Sequence, residues 1–363
     1  MGPGGERGER RVVRHMSAAG GSNPEYVIAR VRARRASLLG EDAYRRLVRM
    51  DPAGIARFLE DDAYSAQINA LGTRHGGTDL IEYALNANLA QTYRDLLSWA
   101  DGQLYELIAR YLRRYDVWNI KTVLRGIYSE VDAETVGDDL ILAGELGEQR
   151  LRALADLGAI EQVVEALERT VYGDALAGAY DAYVSSGLLF PLENALDRTY
   201  YDQLLTDLPG GQQTRAYVEF LTAEVDFTNI INMLRLSRSG AALDPAAYFL
   251  DGGALFRLET VDALVQNPDE LLATIRESAY GDRLSGMLAA VETGASLIPA
   301  EHAVEAALLE TADSLGYENP LSITPVLSFI LAKRREVDNI RAIARGREAG
   351  LDVETLESEV VIV

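Results

Sequence analysis

Cysteine is absent from the 363-residue chain. That excludes disulfide frameworks, thiolate zinc sites and cysteine nucleophiles, and it fits a reducing interior. Histidine is nearly absent: His15, His75 and His302 stand far apart, none with a second histidine or a carboxylate at metal-ligand spacing. Surface placement is expected for them, with no metal, no cofactor and no catalytic group. No apolar run approaches the ~18–20 residues of a membrane span. No Gly-rich phosphate loop and no G-x-S-x-G elbow is present. The acid pairs Asp61-Asp62 and Asp138-Asp139 lack the spacing of a magnesium-diphosphate site and read as solvated acids. Lysine is reduced to Lys121 and Lys333, every other basic residue being arginine.

What the chain has in abundance is acid. Asp and Glu total 56 against 35 Lys and Arg, for a formal net charge of −21. Such a surface repels phosphate backbones, which counts against a nucleic-acid binder. High acid with almost no lysine is expected of a protein kept soluble in a concentrated-salt cytoplasm, where ions screen the self-repulsion. Hydrophobic residues make up 48%, enough for a sizeable core in two or three domains. The first 23 residues are Gly- and Arg-rich without an apolar stretch, so a disordered tail is expected there, with Met16 as an alternative start.

Beyond residue 24 the pattern is helical almost throughout. Windows such as AYRRLVRMDPAGIARFL and LRALADLGAIEQVVEALERTVY carry apolar residues at i, i+3, i+4 and i+7. Pro and Gly fall mostly between the windows, and only the closing EVVIV is strand-like. The arginine-rich run Arg30 to Arg35 reads as one face of an amphipathic helix paired to acids. The expected class is all-α.

Three series repeat along the chain. The segments YDVWNIKTVLR, EVDFTNIINMLR and REVDNIRAIAR place Asn119, Asn229 and Asn339 at a constant spacing of 110. An acid lies three before each (Asp116, Asp226, Glu336) and an arginine six after (Arg125, Arg235, Arg345). Tyr64, Tyr172 and Tyr280 form a second series spaced by 108, and elements around Thr92, Thr199 and Thr311 form a third. Interleaved series of one period mean internal triplication, and a period this long makes each copy a small helical domain rather than a solenoid unit. The expected division is a tail 1–23 and helical domains 24–115, 116–225 and 226–363, the last carrying the partial start of a fourth repeat. The acids are expected to cap helix starts, the asparagines to satisfy backbone, the isoleucine after each Asn to face a core, and the tyrosines to pack a ring with a wet hydroxyl.

The segments LFPLENALDRTYYDQLL and AEVDFTNIINMLRL, with the upstream ARVRARRASLL and DVWNIKTVLRG and the terminal EVDNIRAIARG, resemble the C subunit of the archaeal A-type ATP synthase, the counterpart of the d subunit in vacuolar-type ATPases. The resemblance runs in order from residue 24 to 363. It implies three helical domains in a pseudo-threefold funnel without a catalytic site. It implies a central-stalk rotor component of a proton-translocating ATP synthase, peripheral on the cytoplasmic face of the membrane. Its partners would be the central-shaft subunits and the membrane ion-carrying ring. It assigns no contact residue. The other readings open from the residues are a helical adaptor with an unrelated partner and an isoprenoid-type helical enzyme, the latter disfavoured by the missing aspartate-rich motifs.

Overall fold

The computed structural model describes residues 22–360 apart from 209, 240–242 and 295. Met16, His15 and most of the expected tail lie outside the described residues, as does the end of EVVIV. Within the expected tail, Asn23 is anchored: its amide donates to the Trp99 carbonyl at 2.8 Å and to Asp101.

The described residues are all-α, without strands. The first helices are α1 (Pro24–Arg35), α2 (Glu41–Leu47), α3 (Pro52–Glu60), α4 (Ser65–Leu71), the long α5 (Gly77–Trp99), α6 (Gly102–Leu112) and α7 (Arg114–Tyr128). The middle holds α8 (Ala133–Asp138), α9 (Glu148–Ala155), α10 (Ile160–Leu167), α11 (Gly173–Ser186), α12 (Phe190–Leu205) and the long α13 (Gln212–Ser239). The last stretch holds α14 (Leu258–Gln266), α15 (Pro268–Glu277), α16 (Ser285–Thr293), α17 (Ile298–Glu318), α18 (Thr324–Glu348) and α19 (Val353–Glu359).

Local chemistry sets the boundaries. Asp51, Asp132 and Asp352 each accept the amide three residues on, capping α3, α8 and α19. Gly187 ends α11 at φ +68, a left-handed turn that a β-carbon disfavours. The glycine after Tyr172 and Tyr280, two of the three repeated tyrosines, has a different reason. A β-carbon on Gly173 would lie 2.2 Å from the Glu168 carbonyl oxygen, and one on Gly281 would lie 2.1 Å from that of Arg276. Two stretches of backbone meet there too tightly for any side chain.

One continuous core runs through the molecule. Ile120, Ile230 and Ile340 are wholly buried in it, and so, nearly or fully, are Val123, Leu124, Met233 and Leu234. These are the positions that helical spacing assigns to the inward face. The N-terminal α1 lies against the C-terminal α18: the Arg35 guanidinium donates to the Ser328 hydroxyl and pairs with Asp313 at 2.8 Å. Arg34 pairs with Asp95 at 3.1 Å.

Candidate functional site

The repeated residues cluster on α7, α13 and α18 and the segments packed against them. Asp116 lies in the first turn of α7, but Asp226 and Glu336 lie in the middle of α13 and α18. Capping of their own helix is therefore not what these acids do, because mid-helix amides are already bonded. Each instead accepts amides from a distant segment of chain. Asp116 takes Glu145 at 3.0 Å and Leu146 at 2.8 Å. Asp226 takes Ala254 at 3.0 Å and Leu255 at 2.9 Å. Glu336 takes Leu39 at 2.6 Å. The first two segments follow their acid; the third comes from the opposite end of the chain.

The tyrosine series meets the acid series. Tyr280 donates to Asp226 at 3.0 Å and Tyr64 to Glu336 at 2.7 Å. Tyr172 is buried beside Asp116. The hydroxyls of Tyr64 and Tyr172 are thus not wet but enclosed with a carboxylate. Burial pushes Asp116 up to about 6, against the pull of its two backbone donors. At Glu336 the charge is matched by Lys333, whose ammonium reaches Oε1 at 2.7 Å and the Tyr64 hydroxyl at 2.8 Å. Burial pulls that lysine down, opposed by the Glu336 charge.

Asn119 and Asn229 act as clamps. Asn119 donates to the Ile141 carbonyl and accepts the Ile141 amide, both at 2.8 Å. Asn229 does the same to Leu250 at 2.9 Å. In the third copy Asn339 is buried next to Tyr44.

The arginines pair with glutamates that sequence reasoning missed. Arg125 reaches Glu193 at 2.6 Å, Arg235 reaches Glu301 at 2.8 Å, and Arg345 reaches Glu82 at 3.2 Å. Glu82, Glu193 and Glu301 stand near the same period on α5, α12 and α17, which is the signal that could have found them. The third element docks similarly. Tyr93, next to Thr92, donates to the Ile330 carbonyl at 2.9 Å, and Tyr200, next to Thr199, donates to that of Tyr111 at 3.0 Å.

Two residues before each repeated acid stand Arg114, Glu224 and Arg334, also missed. They line two adjoining clefts. One, of about 330 Å³, is walled by Arg114, Trp118, Glu305, Arg334, Asp338 and Arg341; the other, of about 210 Å³, shares Arg114, Glu305 and Arg334 and adds Glu224, Phe227 and Glu301. Arg114 pairs with Glu224 at 2.6 Å and lies 4.4 Å from the Tyr111 ring centroid. Arg341 pairs with Asp338 at 2.7 Å. Burial raises Asp338 although arginines oppose it. Trp118 is 49% exposed. The lining holds no histidine, cysteine, serine or lysine among the described residues. Its charges are mostly fixed to one another, which suits recognition of a shaped, charged surface better than proton transfer.

Elsewhere, His75 is half-buried rather than on the surface, 4.6 Å from the Tyr83 ring and 3.6 Å from Asp138. Asp61 and Asp62 are exposed. Among the described residues no cluster of His, Asp and Glu could hold a metal ion, and no helix is long and apolar enough to cross a membrane.

Comparison with known proteins adds the context. The sequence profile of the ATP synthase (C/AC39) subunit family matches residues 27–359. The chain is 59% identical over 347 residues to the C subunit of the A-type ATP synthase of Haloferax volcanii, covering 96% of this chain and all of that relative. The like-named protein of Halorubrum lacusprofundi is 56% identical over the same shares, and that of Haloquadratum walsbyi is 58% identical over 93% of this chain and 98% of its own.

Proposed function

This chain belongs to the ATP synthase (C/AC39) subunit family, with a structural rather than a catalytic part, and on that premise we propose that it couples a central shaft to a membrane ion ring. In this reading it is a rotor component of a proton-translocating A-type synthase, peripheral on the cytoplasmic face of the membrane. The acidic, lysine-poor surface suits the halophilic archaea in which its relatives occur.

The observation that carries the reading is the convergence of Arg114, Glu224 and Arg334, corresponding positions of three helices, on one pair of adjoining clefts. Arg125–Glu193, Arg235–Glu301 and Arg345–Glu82 join the three helices that carry these residues to their neighbours, which supports reading the clefts as a socket for the foot of a shaft. Torque transfer needs stiffness and a large interface, and packed helices supply both. Three units are part of the proposal: 24–115, 116–225 and 226–363, the last carrying the partial start of a fourth repeat, which from Glu336 on packs back against the first unit. The Glu336–Leu39 and Arg345–Glu82 contacts support that packing.

The test is size-exclusion chromatography with light scattering in molar KCl, alone and with the shaft subunits of the same genome. A complex of defined stoichiometry is expected. Elution of the folded chain alone would overturn the socket and favour a helical adaptor with another partner.

A further inference from the structure

Arg114, Glu224 and Arg334 occupy one repeat position on three helices, at a constant spacing of 110. Arg114 and Glu224 pair with each other at 2.6 Å. Two cations and one anion cannot all be matched, and Arg334 is left over. Its ion-pair contact among the described residues is with Asp338, 4.0 Å from Nε. That carboxylate already bonds Arg341 at 2.7 Å. The Arg334 side chain is 32% exposed on the wall that the two central clefts share, so an incoming group can reach it.

A second repeat position leaves over a charge of the opposite sign. Two residues after each repeated asparagine stand Lys121, Ile231 and Arg341, and four after Glu82, Glu193 and Glu301 stand Asn86, Asp197 and Glu305. Lys121 reaches Asp197 at 2.5 Å, and Arg341 donates to the Asn86 side-chain oxygen at 2.7 Å. In the remaining copy the cation is replaced by Ile231, which lines the same cleft as Glu305. Glu305 is exposed and has no hydrogen bond or ion pair among the described residues. It acts on Arg334 only through space, although both line both clefts. Leu89, Tyr115 and Trp118 set apolar surface beside the two.

We propose that the protein surface seated in these clefts presents a carboxylate to Arg334 and a cation to Glu305, beside an apolar side chain against Trp118. On the coupling reading, on which this rests, that surface is the foot of the shaft. Screening decides how such charges work: at molar salt the Debye length is about 3 Å, so they steer nothing from a distance. Pairs brought to hydrogen-bond distance and closed off from water still discriminate between partners, and they act on how slowly a complex comes apart. Arg334 and Glu305 are thereby specificity residues, whereas Arg114, Glu224 and Arg341 are held by partners within the fold.

The test follows binding and release of the purified shaft subunits by the full chain in molar KCl, using biolayer interferometry. The wild type is compared with Arg334→Gln, with Glu305→Gln, and with the charge exchange that combines Arg334→Glu and Glu305→Arg. Each single variant is expected to bind about tenfold or more weakly, chiefly through faster dissociation, at an unfolding temperature close to that of the wild type. The exchange should bind more weakly than either, because both of its charges then oppose those of the shaft. Wild-type affinity in either single variant would overturn the proposal. So would wild-type affinity in the exchange, since Arg334 and Glu305 would then serve only each other. If the wild type itself does not bind the shaft, the coupling reading falls and this proposal with it; if it binds and the variants match it, this proposal alone falls. Should the exchange fail to fold, the two single variants decide.

Discussion

Oε2 of Glu336 accepts the Leu39 amide at 2.6 Å, joining positions 297 residues apart in sequence. The same carboxylate holds Lys333 and Tyr64 through Oε1. The third acid–amide contact is thus made between the two ends of the chain. Its two counterparts, Asp116 with Leu146 and Asp226 with Leu255, are made within 30 residues.

Breaking this junction should destabilise the fold strongly. Lys333→Met leaves the Glu336 charge buried without its cation, at an expected cost of about 3–5 kcal/mol. Combining it with Tyr64→Phe should cost less than the sum, since both act on one oxygen. Chemical denaturation of the two single variants and the double variant measures this. Strict additivity would mean that the three groups do not act as a unit.

Asn229→Leu strips the buried Leu250 amide and carbonyl of both partners. The expected loss is about 2–4 kcal/mol, read from the unfolding midpoint. Asn119→Leu should behave alike through Ile141. A loss of shaft binding at unchanged stability would instead place these asparagines on a working surface.

Asp116 makes stability depend on pH in a predictable direction. Its folded value, about 6, lies above the ordinary 3.8. Between those values the folded chain holds a proton that the unfolded chain releases, so stability rises as pH falls through the window. Above pH 6 the buried charge is present and its cost is felt in full. Relative to Asp116→Asn, the wild type should gain about 2 kcal/mol between pH 7 and pH 4. Denaturation of both proteins across that range, in molar KCl, gives the difference. A flat difference would show that Asp116 is charged throughout.

Trp118 offers a test of the socket that spares the core. Half-exposed on the wall of the larger cleft, it can become glutamate with a stability change within about 0.5 kcal/mol. Affinity for the shaft subunits should fall about tenfold or more, as for a buried aromatic anchor. Titration calorimetry with the purified shaft reads this directly; an unchanged affinity would move the contact elsewhere.

Much was legible in the sequence because it depends on single helices and on repetition. Helical spacing assigned Ile120, Ile230 and Ile340 to an inward face, and all three are wholly buried. The constant period exposed the copies, and the missing histidine and cysteine chemistry pointed away from catalysis. Which groups the repeated side chains meet was not legible. Asp226 looked like a helix cap because an acid before an apolar run is what a cap looks like, yet α13 begins 14 residues earlier. The partners Leu39, Glu82 and Leu250 lie on other segments and are brought up only by packing. Periodicity encodes which face of a helix turns inward. What that face touches, and whether a buried carboxylate finds a lysine, an amide or a tyrosine, is decided by the tertiary structure, where desolvation makes every unmatched polar group costly.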